Sequence, residues 1–254
     1  MLTPKAEAYL EECRQEAVDL LIRLAQIPAP SNQEEKRAVF CREWLEKNGA
    51  QGVYVDEALN VIYPVIKDGE PLEKQQLAVY AAHTDVVFPD LTPLPLTVDG
   101  NLICCPGVGD DTACLTALLI AARFVARELR QGSLKLKNEG VLFVCNSGEE
   151  GLGNLKGSRE ICRAFGKQMK EFITLDGPMD KLVTRAVGSM RYQVEIRTRG
   201  GHSYGDFGQP NAIARMAELI AKLYQIPVPT GAKTTFNVGT ISGGTSVNTI
   251  AQQA

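Results

Sequence analysis

The 254-residue sequence predicts an α/β fold built on a mostly parallel sheet. Apolar, strand-like segments alternate with amphipathic helical ones as far as about residue 183, the pattern of a parallel sheet with crossover helices. Acidic residues and one histidine recur just past the strand ends, where open α/β sheets hold their ligands. After 183 the texture becomes alternating and turn-rich, so residues 1–183 are read as an α/β domain and 184–254 as a smaller α+β unit.

Residues 4–27 and 31–48 read as helices separated by Pro28-Ala29-Pro30. Thr3 can cap the first, with Pro4 at its opening position. Ser31 and Glu34 have capping-box spacing for the second, and Gly49 stops it. Residues 51–56, 60–66 and 76–82 are strand-like, with Asp68-Gly69 marking a turn between the last two. A proline-rich loop (Pro89, Pro93, Pro95), a turn at 98–101 and a short strand at 102–104 follow. A glycine-bearing loop, 106–112, feeds an amphipathic helix over 112–130. Strand 139–146, loop 147–153, helix 155–166 and strand 171–175 complete the alternation. In the second unit, 189–198 alternates as a half-exposed antiparallel strand. A turn at 199–203, a helix over 210–225, a strand at 234–241 and the opening of another at 247–254 follow it.

Hydrophobic content of 44% and charged content of 22% are those of a globular protein. A net charge of −3 leaves no basic excess to neutralise phosphates, which argues against a nucleic-acid partner. No apolar run is long enough to span a bilayer. The acidic N-terminus does not read as a secretory signal. The seven cysteines are odd in number and contain no C-x-x-C pair, so reduced thiols and a cytoplasmic setting are expected. Cys104-Cys105 is the one cysteine pair close enough to the expected site to interest a metal.

The candidate chemistry starts at residues 77–89, LAVYAAHTDVVFP, an apolar strand ending at His83 with Asp85 two residues on. Side chains two apart on an extended chain leave the same face, so a carboxylate at 85 can orient the imidazole or bind a cation itself. Asp110-Asp111, Glu149-Glu150 and Asp176 each lie at or just after an apolar segment. Taken singly they have ordinary readings: a helix N-terminal charge, a solvated loop and a turn residue. His202 among glycines reads singly as an exposed loop residue. Jointly, one histidine with several carboxylates is an oxygen-rich set suited to zinc, manganese or cobalt. Without metal these acids would repel one another; two divalent ions bridged by one carboxylate would relieve this and activate a water. Of the adjacent Glu149 and Glu150, one can ligate while the other serves as general base. Two competing motifs are weaker. Gly151-x-Gly153 lacks phosphate-loop spacing, and Cys145 stands where a nucleophile elbow needs glycine.

The series His83-Thr84-Asp85, Gly107-Val108-Gly109-Asp110-Asp111, Ser147-Gly148-Glu149-Glu150-Gly151 and Leu175-Asp176-Gly177 resembles the co-catalytic zinc exopeptidases. That family includes peptidase T, glutamate carboxypeptidase, aminoacylase and acetylornithine deacetylase. The likeness continues through Gly200-Gly201-His202-Ser203 and residues 243–250, GGTSVNTI. It implies helices on both faces of the sheet and an inserted, ferredoxin-like lid. It implies that His83, Asp110, Glu150 and Asp176 bind metal, with Asp110 bridging two ions, zinc or else manganese or cobalt. Asp85 would orient the imidazole, Asp111 would be a non-ligating neighbour and Glu149 the general base. His202 would reach across a homodimer, formed through the lid, to the oxyanion, and Asn248 would contact substrate. A peptide of tripeptidase type is the implied substrate, with an N-acyl amino acid as the alternative; a non-catalytic binding relative is the reading from a different class.

Family members carry a further histidine ligand after the lid, whereas this sequence has only His83 and His202. The sequence is therefore read as the N-terminal two-thirds of such an enzyme, and weak metal retention with little activity is expected of it.

Overall fold

The computed structural model describes residues 2–67, 71–136, 139–178, 180–231 and 233–254. The Asp68-Gly69 turn expected from the sequence lies outside them. The chain divides into two compact units, Met1–Ala186 and Val187–Ala254.

In the first unit, α1 (Pro4–Glu12), α2 (Arg14–Ala25) and α3 (Glu35–Lys47) precede β1 (Tyr54–Val55), β2 (Val61–Val65) and β3 (Gln76–His83). The hairpin of β4 (Thr97–Asp99) and β5 (Leu102–Cys104) leads to α4 (Ala113–Arg130), β6 (Glu139–Asn146), α5 (Lys156–Phe165) and β7 (Met169–Thr174). The sheet order is β1-β2-β6-β3-β7. β3 runs parallel to both β6 and β7, while β2 is antiparallel to β6 and to β1. The sheet is therefore parallel where the site forms, with an antiparallel pair closing the other edge.

Period-two alternation gives the sheet two apolar faces. Leu77, Val79 and Ala81 of β3, with Ile62, Leu142 and Val144, pack against Ile161 and Phe165 of α5. On the other face Val61, Tyr63, Ala82 and Phe143 meet Leu20, Leu24, Leu45, Leu115, Leu118 and Leu119 from α2, α3 and α4. Helices thus cover both faces. Register then aligns the strand ends: His83 lies opposite Asn146, and Ala81 opposite Thr174. Beyond them the Thr84 N–H donates to the Asn146 carbonyl at 2.7 Å and the Leu175 N–H to the Ala81 carbonyl at 2.8 Å.

Several elements differ from the sequence expectation. The helix expected over 4–27 breaks at Cys13, whose thiol donates to the Leu10 carbonyl at 3.6 Å. Thr3 caps α1 as expected, accepting from the Ala6 N–H. The capping box at 31–34 does not form. α3 begins at Glu35 with no side-chain cap, because Ser31 and Glu34 turn inward to more distant partners. The strand expected at 51–56 shrinks to Tyr54–Val55, since only those residues pair with β2.

The second unit holds β8 (Gly201–His202), α6 (Ala212–Leu223) and β9 (Thr249–Ile250). Asn211 caps α6, its side-chain oxygen accepting from the Ile213 and Ala214 N–H groups. β8 pairs with β9, and Arg197 with Gln253. The strands expected at 189–198 and 234–241 do not form. Among the described residues neither 189–195 nor 234–241 pairs with a neighbouring strand, the Val238 N–H donating instead to the Tyr224 hydroxyl at 3.2 Å, and an alternating pattern alone does not make a strand. Met190 and Tyr192 accordingly stand 79% and 78% exposed. Of the strand expected at 247–254, only Thr249–Ile250 is regular.

Leu142 is fully buried on the α5 face of β6, the strand that touches both neighbours. Leu142→Ala should cost about 2–5 kcal/mol of stability through lost burial and a residual cavity. Urea unfolding monitored by circular dichroism checks this; a loss under about 1 kcal/mol would show that this face does not carry the core.

Candidate metal centre

The register of β3, β6 and β7 brings the strand-end residues to one edge of the sheet. His83 closes β3, Glu149 and Glu150 follow β6, and Asp176 follows β7. Asp110 comes from the turn of residues 108–112 that opens α4. Two groups of possible ligand atoms result, each with its atoms within 4.8 Å of one another: His83 with Glu149 and Glu150, and His83 with Asp110 and Asp176. The three carboxylates expected to bind metal and the expected base therefore converge on the imidazole of His83, the fourth expected ligand.

That imidazole is held from both sides. Nδ1 lies 3.0 Å from the Asp85 backbone carbonyl and 3.5 Å from the Asp85 carboxylate, while Nε2 lies 3.1 Å from Asp110 Oδ1. The closer contact shows that the Asp85 carbonyl, more than its side chain, fixes the ring through Nδ1–H. The Asp85 carboxylate is fully buried and turns to the loop after β6. Its Oδ1 accepts from the Glu149 N–H at 2.9 Å; its Oδ2 accepts from the Glu150 N–H at 3.0 Å and the Ser31 hydroxyl at 2.7 Å. Asp111 lies beneath. Its Oδ2 accepts from the His83 N–H at 3.0 Å, and its Oδ1 is buried without a partner.

The charges explain why a cation fits. Burial lifts Glu149, Glu150 and Asp176 above the ordinary carboxylate range, and each is pushed further by neighbouring acids. Burial also lifts Asp111, to about 7, with Asp176 adding to it. Burial works against a charge on His83, yet its contacts with Asp85, Asp111 and Asp110 together raise it to about 10. Burial works against the Asp85 charge too, but bonds from His83, Ser31 and the two backbone N–H groups hold its pKa below the usual value. The imidazolium thus supplies the positive charge that the acids demand. A divalent ion at Nε2 would supply more, and imidazole with carboxylate oxygens is a fitting donor set for zinc. No cysteine enters either group among the described residues, and Cys105 instead faces the Ala25 carbonyl.

His202 and Asn248 belong to the second unit, and both are exposed. The His202 Nδ1 accepts from the Tyr204 and Gly205 N–H groups at 3.2 Å. The Asn248 side-chain oxygen accepts from the Ser246 hydroxyl, and its backbone carbonyl accepts from the Ser203 N–H. The sequence reading missed the inward roles of Ser31 and Glu34. Their spacing pointed only to a helix cap.

Fold and site together define a class of α/β proteins that gather an imidazole and several carboxylates, a donor set suited to divalent metal, at the carboxyl edge of a parallel sheet. Comparison narrows that class. Residues 60–199, more than half of the chain, match the sequence model described as Peptidase family M28, and residues 184–254 match the one described as a peptidase dimerisation domain. The chain belongs to this peptidase family, among the co-catalytic zinc exopeptidases. A probable carboxypeptidase of Ajellomyces capsulatus is 26% identical over 265 residues, covering 91% of this chain and 57% of its own length. A Pyrococcus abyssi protein provisionally named a LysW-lysine/LysW-ornithine hydrolase is 30% identical over 152 residues, 60% of this chain and 38% of its own. Among solved structures, a tripeptidase from Staphylococcus aureus shares the fold at a TM-score of 0.55 with 19% identity, over 94% of this chain and 64% of that one. The match thus spans between 38% and 64% of the length of these relatives. No helix among the described residues is long and apolar enough to cross a membrane.

Asp85→Asn would set an amide N–H₂ against backbone or hydroxyl donors. Zinc affinity measured by calorimetry should fall about 10–100-fold, as for other residues that orient ligands without binding metal. Unchanged affinity would show that Asp85 does not organise the centre.

Proposed function

We propose that this chain carries the catalytic centre of a metal-dependent peptidase of tripeptidase type. The observation that carries the reading is the His83 imidazole grouped with two pairs of carboxylates, Glu149 with Glu150 and Asp110 with Asp176, at one edge of the parallel sheet. The proposed ligands are His83, Asp110, Glu150 and Asp176, with Asp110 proposed as the one that two ions would share. Two divalent ions are proposed, zinc first and manganese or cobalt as alternatives. Bound there, they would lower the pKa of water and polarise a carbonyl.

The chain's own groups would do the rest. Glu149 is half-buried and its backbone is fixed by Asp85. Burial lifts its carboxylate towards the pH at which a base works. Glu149 would take a proton from the attacking water and pass it to the leaving amine. Asp85 would keep the imidazole in the tautomer that presents Nε2. His202 is proposed to steady the oxyanion and Asn248 to contact substrate, in a homodimer formed through residues 184–254. That region's match to a dimerisation domain supports this arrangement. Hydrolysis of an N-acyl amino acid is the second reading, supported by the match to a hydrolase named for LysW-lysine and LysW-ornithine rather than for peptides.

His83 belongs to both groups, yet its Nδ1 is engaged by the Asp85 carbonyl, which leaves Nε2, 3.1 Å from Asp110 Oδ1, as the nitrogen free to ligate. One group can therefore have the imidazole while the other has carboxylates alone. Calorimetry on the 254-residue chain should find one tighter zinc site and one weaker by at least about tenfold, with His83→Ala removing the tighter. Two equal sites would contradict this use of His83.

At saturating zinc or manganese, tripeptides should be cleaved in preference to N-acetyl amino acids. A chelator should abolish turnover and added metal restore it. Glu149→Gln should lower the rate by about 10²–10⁴-fold with metal binding retained. Chelator-resistant turnover, or an unaffected Glu149→Gln variant, would sink the reading.

A further inference from the structure

Glu34 is fully buried, at 0% exposure, although it lies just before an exposed helix start. A carboxylate is buried at this depth only when donors surround it. Here there are three. Its Oε1 accepts from the Asn32 and Gly148 N–H groups at 2.8 and 2.9 Å, and its Oε2 meets the Lys156 ammonium at 2.9 Å. Gly148 opens the loop that carries Glu149 and Glu150, and Lys156 begins the helix that ends it.

Three consecutive N–H groups of that loop therefore donate to buried carboxylates: Gly148 to Glu34, then Glu149 and Glu150 to Asp85. The loop's ends are tied as well, by Lys156 N–H to the Gly148 carbonyl at 3.2 Å and Gly157 N–H to the Ser147 carbonyl at 3.0 Å. To reach Glu34, the Lys156 stem lies across Gly148. Gly148 has φ +56°, and a Cβ there would stand 2.6 Å from Lys156 Cγ. With the Gly148, Glu149 and Glu150 donors all engaged, the backbone that carries the two glutamates is held where it turns them towards His83.

We propose that Glu34, with Lys156 as its counter-charge, is a positioning residue that sets the geometry of the Glu149–Glu150 loop before metal binds. The proposal rests on the reading of those glutamates as part of a metal centre, and its test separates the two. Hydrogen exchange at the Gly148, Glu149 and Glu150 amides in metal-free protein reads the loop alone; zinc calorimetry reads the site. In Glu34→Gln, these three amides should exchange at least about tenfold faster while the β6 amides keep their protection, and zinc affinity should fall about 10–100-fold. Lys156→Met should shift both readouts the same way and Lys156→Arg should restore them. Lys156→Met also carries the test if Glu34→Gln does not fold. Unchanged exchange at the three amides, or loss of protection spread evenly through β6, would overturn the role of Glu34. Absence of zinc binding by the unaltered chain would instead overturn the metal centre and leave the exchange result to decide for Glu34.

Discussion

Several carboxylates cannot crowd one imidazole unless a positive charge answers them. Everything at the carboxyl edge of this sheet follows from that constraint. Asp110, Glu149, Glu150 and Asp176 come from three separate loops, yet they gather around His83 closely enough that neighbouring acids raise the proton affinity of Glu149, Glu150 and Asp176. In the metal-free chain the His83 proton supplies the missing charge, which is why the ring holds it so firmly. On the proposed reading, proton and metal would be alternatives at Nε2.

Such a cluster costs free energy to assemble, and the rest of the unit supplies it. Apolar packing on both faces of the sheet fixes β3, β6 and β7 in register. Register places the loops, and two buried carboxylates then hold the loop after β6 by its backbone. The order of dependence runs from core to strand ends to loop to side chain. A buried acid such as Asp85 or Glu34 is tolerated because every oxygen finds a donor, and the same bonds remove conformational freedom where ligand placement needs it least.

Much of this was legible in the sequence, for physical reasons. Strand ends can be read because a buried parallel strand is a continuous apolar run, and the residue that stops it is polar; His83 stands out in this way, while Asp176 follows a short, partly exposed edge strand. Glu149 and Glu150 were legible as a pair, but their division of labour came from family resemblance. What could not be read depended on contacts distant in the chain. Ser31 and Glu34 are spaced like a local cap, yet apart from the Asn32 N–H their partners lie 54, 114 and 122 positions away. The break at Cys13 leaves no mark in the helical periodicity on either side. The strands expected at 189–198 and 234–241 show the converse. Alternation is a property of a segment, whereas a strand is a property of a pair.

X-ray absorption at the zinc edge of the metal-loaded chain tests the central claim most directly. The account predicts a first shell of oxygen with a single imidazole nitrogen near 2.0–2.1 Å, the imidazole signal vanishing in His83→Ala. A sulfur shell near 2.3 Å, or an imidazole signal that survives loss of His83, would contradict it.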